Sequence, residues 1–200
     1  MNLEKLYIQN FIENLIKKNH IDCDLVFVSE ILETNPTGVM SYEPISNVLE
    51  VYIPNVEKLQ PLDGITSEER LLFFTAHELG HFKHFERKDA FIPFNLYVKS
   101  QDTSLKSTSD DERYELEIQT YKSLLELEII GWILGKKFIS FELVPKYNEI
   151  ALQHIEGLIT RTKEHIKSTY PSKDTKFIKR IFGIFIEEHK GVLVEYDMDC

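Results

Sequence analysis

The pattern of apolar and polar residues predicts an N-terminal amphipathic helix followed by a small β-sheet. The helix is predicted to end near Asn19, and its apolar side chains recur at helical spacing: Leu3, Leu6, Tyr7, Phe11 and Leu15. Runs rich in β-branched and aromatic residues at 25–32 and 47–53 predict two strands, and a third short strand is expected near 39–42. Pro54 ends the second of these runs, because proline cannot donate a ladder hydrogen bond.

The rest of the chain is predicted to be helical. Helices are expected at about 67–85, 111–139, 146–169 and 174–189. Thr66 and Glu69 have the spacing of a capping box at the start of the first of these, and residues 86–111 form a long, largely polar connection. A helix, a small sheet and then helices make an α+β fold. We expect a domain at 1–144 and a C-terminal helical extension at 145–200, which could also belong to that domain.

Composition and charge narrow the classes of function. The chain has 33 acidic and 23 basic side chains, a net charge of −10, which argues against direct nucleic-acid binding. We interpret the basic segment at 161–190 as a solvated helix face. Only Cys23 and Cys200 are present, so no disulfide framework is expected. Because neither a signal peptide nor an apolar run of about 18 residues is found, we expect a cytoplasmic protein without a membrane span.

The strongest chemical signal is His77-Glu78-Leu-Gly-His81, an H-E-x-x-H sequence inside a predicted helix. Residues four apart lie on one side of a helix, so both imidazoles can bind one zinc ion. Glu78 is not needed as a ligand, and it can act as the base that takes a proton from a metal-activated water. The motif therefore predicts a zinc-dependent peptidase.

His84 is not expected to join this zinc site. It lies seven residues after His77, about 10.5 Å farther along a helix, which is too far for both rings to bind one ion. The extended metzincin pattern requires Gly at position 84 and His at position 87, but this chain has His84 and Arg87. We expect His84 to be a partly exposed helix residue.

A third ligand is predicted on the long helix at 111–139. Glu128 lies in the middle of an apolar stripe formed by Tyr121, Leu124, Leu125, Gly131, Trp132, Gly135 and Ile139. A carboxylate in such surroundings is costly unless it is paired or binds a metal, so we predict that Glu128 is the ligand.

Glu126 is expected on the opposite, solvated face. Glu117 shares the stripe of Glu128 and is the alternative ligand if the helices pack in another register. Gly131 and Gly135 would allow close approach of a helix or of the metal.

Two segments together resemble the ImmA/IrrE metallopeptidases of bacteria and their mobile elements. The first is Thr75-Ala-His-Glu-Leu-Gly-His81 after the short strand Val51-Tyr-Ile53, and the second is Glu128-Ile-Ile-Gly-Trp-Ile-Leu-Gly135. The resemblance covers about 25–140. It implies a zincin-like fold and cleavage of a regulatory protein, often a helix-turn-helix repressor. The long segment between His81 and Glu128 departs from the family, and its insertion at 86–111 could form a lid or contact the substrate.

Other roles stay open at the level of sequence. A metal-stabilised zincin could bind and sequester a regulatory protein without cutting it, although the intact Glu78 favours an enzyme. A DNA-binding regulator that uses the basic C-terminal helices fits the acidic chain least well. Tyr114, Tyr121 and His154 could each stabilise a tetrahedral intermediate, and the sequence does not choose among them.

Overall fold

The computed structural model describes residues 3–30, 38–86 and 109–173, and these form an α+β arrangement. In chain order the main elements are α1 (Lys5–Lys18), β1 (Asp24–Val28), β2 (Met40–Glu43), β3 (Val48–Tyr52), α2 (Ile53–Val56), α3 (Ser67–Phe85), α4 (Asp110–Gly135) and α5 (Val144–Thr169). Short 3-10 turns at Lys136–Phe138 and Phe141–Leu143 connect α4 to α5. The predicted α+β class is therefore confirmed.

Most predicted elements are present with small changes at their ends. Helix α3 has the predicted bounds, and the three strands lie where they were expected. The predicted helix at 111–139 ends early, because the chain turns into a 3-10 helix after Gly135 and is extended at Ile139. The predicted helix at 174–189 and most of the connection at 86–111 lie outside the described residues.

The sheet places β3 in the centre, with β1 and β2 on its two sides. Strand β1 pairs with β3 in parallel, with Phe27 opposite Val51, and β2 pairs with β3 antiparallel, with Tyr42 opposite Leu49. Leu49 and Val51 are fully buried, so the alternate residues of β3 supply the apolar face of the sheet. Strand β2 is consequently an edge strand of this sheet.

The described parts of the chain divide into two compact units. The first unit takes in Met1–His84 with Leu134–Tyr147, and the second takes in Phe85–Ile133 with Asn148–Cys200. The apolar core of the first combines α1, the sheet and α3 through buried residues that include Ile8, Ile12, Leu49, Val51, Leu71 and Leu79. The predicted domain boundary between residues 144 and 145 remains a prediction.

In the second unit, α4 and α5 run antiparallel. The rings of Tyr114 and Tyr170 make an edge-to-face contact with centroids 5.5 Å apart, near the start of α4 and just after the end of α5. Lys173 bonds to Asp111 at the same end. Among the described residues, no helix is both long and apolar enough to span a bilayer.

Candidate metal centre

Helix α3 begins with the capping box that the sequence predicts. The backbone N–H of Thr66 donates to Glu69 Oε2 at 2.7 Å, and the backbone N–H of Glu69 donates to Thr66 Oγ1 at 3.1 Å. Lys146 Nζ donates to the other oxygen of Glu69 at 2.8 Å. These bonds satisfy backbone groups that a helix start leaves without partners, so they fix where α3 begins.

The two histidines of α3 already have the spacing of two ligands on one zinc ion. His77 Nε2 and His81 Nε2 are 3.2 Å apart, and the side chains are buried, with 3% and 9% of their surface exposed. A tetrahedral zinc with Zn–N bonds of about 2.05 Å would separate two ligand nitrogens by about 3.3 Å. The distance between the two nitrogens therefore matches that of two ligands on one tetrahedral ion.

Contacts with edge strand β2 hold another face of α3. The ring of Phe82 makes an edge-to-face contact with Tyr42, with centroids 5.8 Å apart. About two turns earlier, the Thr75 hydroxyl donates to Leu71 O at 2.8 Å and lies 3.4 Å from the Met40 sulfur. Thr75 and Phe82, seven residues apart, lie on one side of α3, and this side packs against β2.

Glu78 is oriented by the same strand. The backbone N–H of Tyr42 donates to Glu78 Oε2 at 2.8 Å, so the carboxylate satisfies an outward-facing donor of the sheet edge. Glu78 Oε1 lies 4.0 Å from His77 Nε2. One oxygen of Glu78 is thus held by the strand, and the other lies on the side of His77.

Tyr147 is a residue of this region that sequence reasoning missed. Its side chain is fully buried, and its ring makes an edge-to-face contact with Phe73 at 5.6 Å between centroids. Burial, with a smaller contribution from the Glu78 carboxylate, raises the pKa of Tyr147 well above its ordinary value. The pattern of an amphipathic helix predicts only that such a tyrosine is buried. It contains no information that would have placed Tyr147 near Glu78.

Gly135 explains how the chain packs so closely against α3. A Cβ added at this position would lie 2.2 Å from Tyr147 Oη and 2.6 Å from the carbonyl oxygen of Ala76. No side chain larger than hydrogen fits at those distances. The expectation that Gly135 permits a close approach is confirmed, and the group it approaches is the backbone one residue before His77.

Glu128 completes the set of donors. One ligand atom from each of His77, His81 and Glu128 lies within 4.8 Å of the other two, and this is the group of potential metal ligands found among the described residues. Two imidazoles and a carboxylate are a known donor set of catalytic zinc sites. The alternative ligand, Glu117, is not in the group. Its carboxylate instead contacts His165 at 3.2 Å and Tyr170 at 3.1 Å.

His84 differs from its prediction. Its side chain is only 6% exposed, so the expectation of a partly exposed residue was wrong. The reason is helical geometry: seven residues after His77, it returns to the same side of α3, and that side is buried. His84 does not belong to the group of potential ligands, as predicted.

The three candidates for stabilising a tetrahedral intermediate have different surroundings. Tyr114 packs against Tyr170, and Tyr121 packs against His165 at 5.9 Å between ring centroids. His154 Nε2, in contrast, lies 3.1 Å from Glu128 Oε2. His154 thus contacts a residue of the donor group, whereas the contacts given for Tyr114 and Tyr121 are with residues outside it.

Comparisons with protein-family models, with curated proteins and with solved structures found no match to this chain. The resemblance to the ImmA/IrrE metallopeptidases stays a prediction, and the site is interpreted from its own geometry.

Proposed function

We propose that this protein is a zinc-dependent endopeptidase in which His77, His81 and Glu128 bind the metal and Glu78 is the catalytic base. The observation that carries the proposal is the donor group, in which three ligand atoms of suitable chemistry lie within 4.8 Å of one another. Three protein ligands leave one position of a tetrahedral ion for water, which is the arrangement of catalytic rather than structural zinc.

The side chains of α3 have distinct tasks in this reaction. When bound, zinc supplies a Lewis acid that lowers the pKa of a coordinated water to about 7. Glu78 would accept a proton from the attacking water through the oxygen that faces His77, while the Tyr42 N–H keeps the other oxygen in place. The protonated Glu78 then delivers the proton to the amine that leaves when the peptide bond breaks.

The fold and the substrate class follow from the resemblance. We propose a zincin-like fold, which the mixed sheet beside an H-E-x-x-H helix supports. The substrate we propose is a regulatory protein, such as a helix-turn-helix repressor of a mobile element or of a stress response. Contacts with β2 at Met40 and Tyr42 hold the helix that carries the base, so the substrate-cleaving groups rest on regular elements.

Glu78→Gln tests the catalytic assignment. Gln keeps the shape of the side chain but cannot take a proton, so we expect cleavage of the protein substrate to fall by at least about 100-fold. The first substrate to test is a helix-turn-helix repressor, where one is encoded beside this gene. Zinc content should stay at the wild-type level. The control is Glu68→Gln, an exposed glutamate in the first turn of the same helix, which should cleave normally.

Two outcomes would contradict the proposal. Cleavage by Glu78→Gln at the wild-type rate would exclude Glu78 as the base. Wild-type protein that binds the repressor tightly, holds zinc and leaves the repressor intact would instead favour a sequestering protein.

A further inference from the structure

Helices α4 and α5 bring two glutamate–histidine pairs together at equivalent positions. Glu117 Oε2 lies 3.2 Å from His165 Nε2, and Glu128 Oε2 lies 3.1 Å from His154 Nε2. The glutamates are about three turns apart on α4, and the histidines are about three turns apart on α5 in the reverse order, as antiparallel helices require. The same pair of residue types thus occurs twice between the same two helices.

In the pair at Glu117, the carboxylate connects α4 to the end of α5 through hydrogen bonds. Tyr170 donates its hydroxyl to Glu117 Oε1 at 3.1 Å, so protein donors hold both oxygens of this carboxylate. Burial and the bond to Glu117 raise the pKa of Tyr170 to about 12, which keeps the phenol protonated as a donor at neutral pH. Glu117 therefore needs no metal to satisfy it.

The pair at Glu128 has a different setting. Glu128 belongs to the donor group with the two histidines of α3. Its partner His154 also contacts the indole of Trp132, with ring centroids 5.6 Å apart, and Trp132 is fully buried one turn after Glu128. The imidazole of His154 is thus fixed on one side by an immobile aromatic ring while its Nε2 reaches the carboxylate.

We propose that His154 is a positioning residue for metal binding. Its Nε2–H donates to Glu128 Oε2 and so presents Oε1 of the same carboxylate to the metal as a single-oxygen ligand. This inference rests on the proposed zinc site. It assigns His154 a role through Glu128, the carboxylate that its Nε2 contacts.

The physical reason is the freedom of an unsupported carboxylate. Without a donor on Oε2, Glu128 can rotate about its last bond and offer either oxygen or both to the ion. Partners of this kind fix the ligand's orientation, and their loss typically weakens metal binding by about 10–100-fold. The pair at Glu117 provides a matched comparison, because removal of His165 breaks the same type of bond away from the donor group.

The test compares His154→Ala, His154→Gln and His165→Ala with wild type. Zinc affinity would be measured by competition with a chromophoric chelator, and folding would be checked by thermal melting. We expect His154→Ala to bind zinc about 10–100-fold more weakly. His154→Gln should recover part of the loss, because its amide N–H₂ can donate to Glu128. His165→Ala should stay within about twofold of wild type.

A second measurement keeps the inference testable if His154→Ala does not fold. The visible spectrum of the cobalt(II) protein reports ligand number and geometry, and it should change in His154→Gln but not in His165→Ala. Wild-type zinc affinity in both His154 variants, with an unchanged cobalt spectrum, would overturn the positioning role. Equal losses in the His154 and His165 variants would also overturn it, since the effect would then come from helix packing. Wild-type protein that binds no zinc would contradict the proposed function itself.

Discussion

The histidines of α3 and the carboxylate of α4 are held in different ways. His77 and His81 are one turn apart on a single helix, and their spacing of 3.2 Å follows from local geometry. Glu128 depends on His154, a residue 26 positions away on another helix, and 21% of its side chain is exposed. The positions of the two histidines therefore follow from helix geometry, whereas the position of the Glu128 carboxylate depends on a contact between residues far apart in sequence.

The largest expected loss of zinc binding comes from removing one of the two histidines of α3. His81→Ala removes a buried imidazole ligand, so zinc binding should weaken by more than about 100-fold, beyond the loss typical of an outer partner. Glu128→Ala should weaken it less, because water can take the place of a carboxylate oxygen. Zinc competition titrations would measure both.

His84→Ala is the control for this comparison, since it removes from the same helix a buried imidazole that is not one of the three donors. It should leave zinc affinity unchanged. A greater loss in Glu128→Ala than in His81→Ala would reverse the comparison.

An intermediate effect is expected from the close approach to α3. In Gly135→Ala the new Cβ would lie 2.6 Å from the carbonyl oxygen of Ala76, and the backbone would have to shift. We expect the free energy of unfolding to fall by about 1–3 kcal/mol. Thermal melts would show this as a midpoint lower by several degrees.

Gly157→Ala is the matched control on α5. The new Cβ would meet a flexible group, the Arg161 guanidinium, at 3.3 Å. Alanine favours a helix over glycine by up to about 1 kcal/mol, so this variant should be neutral or more stable than wild type. A Gly135→Ala protein as stable as Gly157→Ala would contradict the tight contact with α3.

The smallest effect concerns the start of α3. The hydrogen bond from Lys146 is the main cause that lowers the pKa of Glu69, with the Thr66 backbone second. Because Lys146 is 40% exposed, Lys146→Met should cost at most about 0.5 kcal/mol at neutral pH. A carboxyl with a lowered pKa stabilises the fold above its ordinary value of 4.5, and this contribution is lost as pH falls through its pKa in the folded protein. The difference between variant and wild type should therefore shrink in urea titrations below pH 4.5, and a difference that grows there would contradict this account.

The sequence predicted α3 well because its signals are local. The capping box at Thr66 and Glu69, the spacing of His77 and His81, and the bounds of the helix each depend on residues within a few positions of one another. Such signals do not require knowledge of the fold.

The surroundings of Glu128 were less predictable. The apolar stripe led to a residue of the donor group, but α4 is buried on more than one side: Leu127 and Ile129, flanking Glu128, are 6% and 1% exposed. A helix covered on several sides loses the contrast that a periodicity argument uses. Two contacts could not be predicted for another reason: that of His154 with Glu128, and the position of Tyr147 near Glu78. Contacts between residues far apart in sequence leave no local pattern.

X-ray absorption at the zinc edge of the wild-type protein tests the central claim most directly. The account predicts one zinc per chain with two imidazole nitrogens at about 2.0–2.1 Å and oxygen in the remaining positions. In Glu128→Ala the two imidazoles should persist while the carboxylate contribution disappears. A spectrum with sulfur ligands or with no histidine would contradict it.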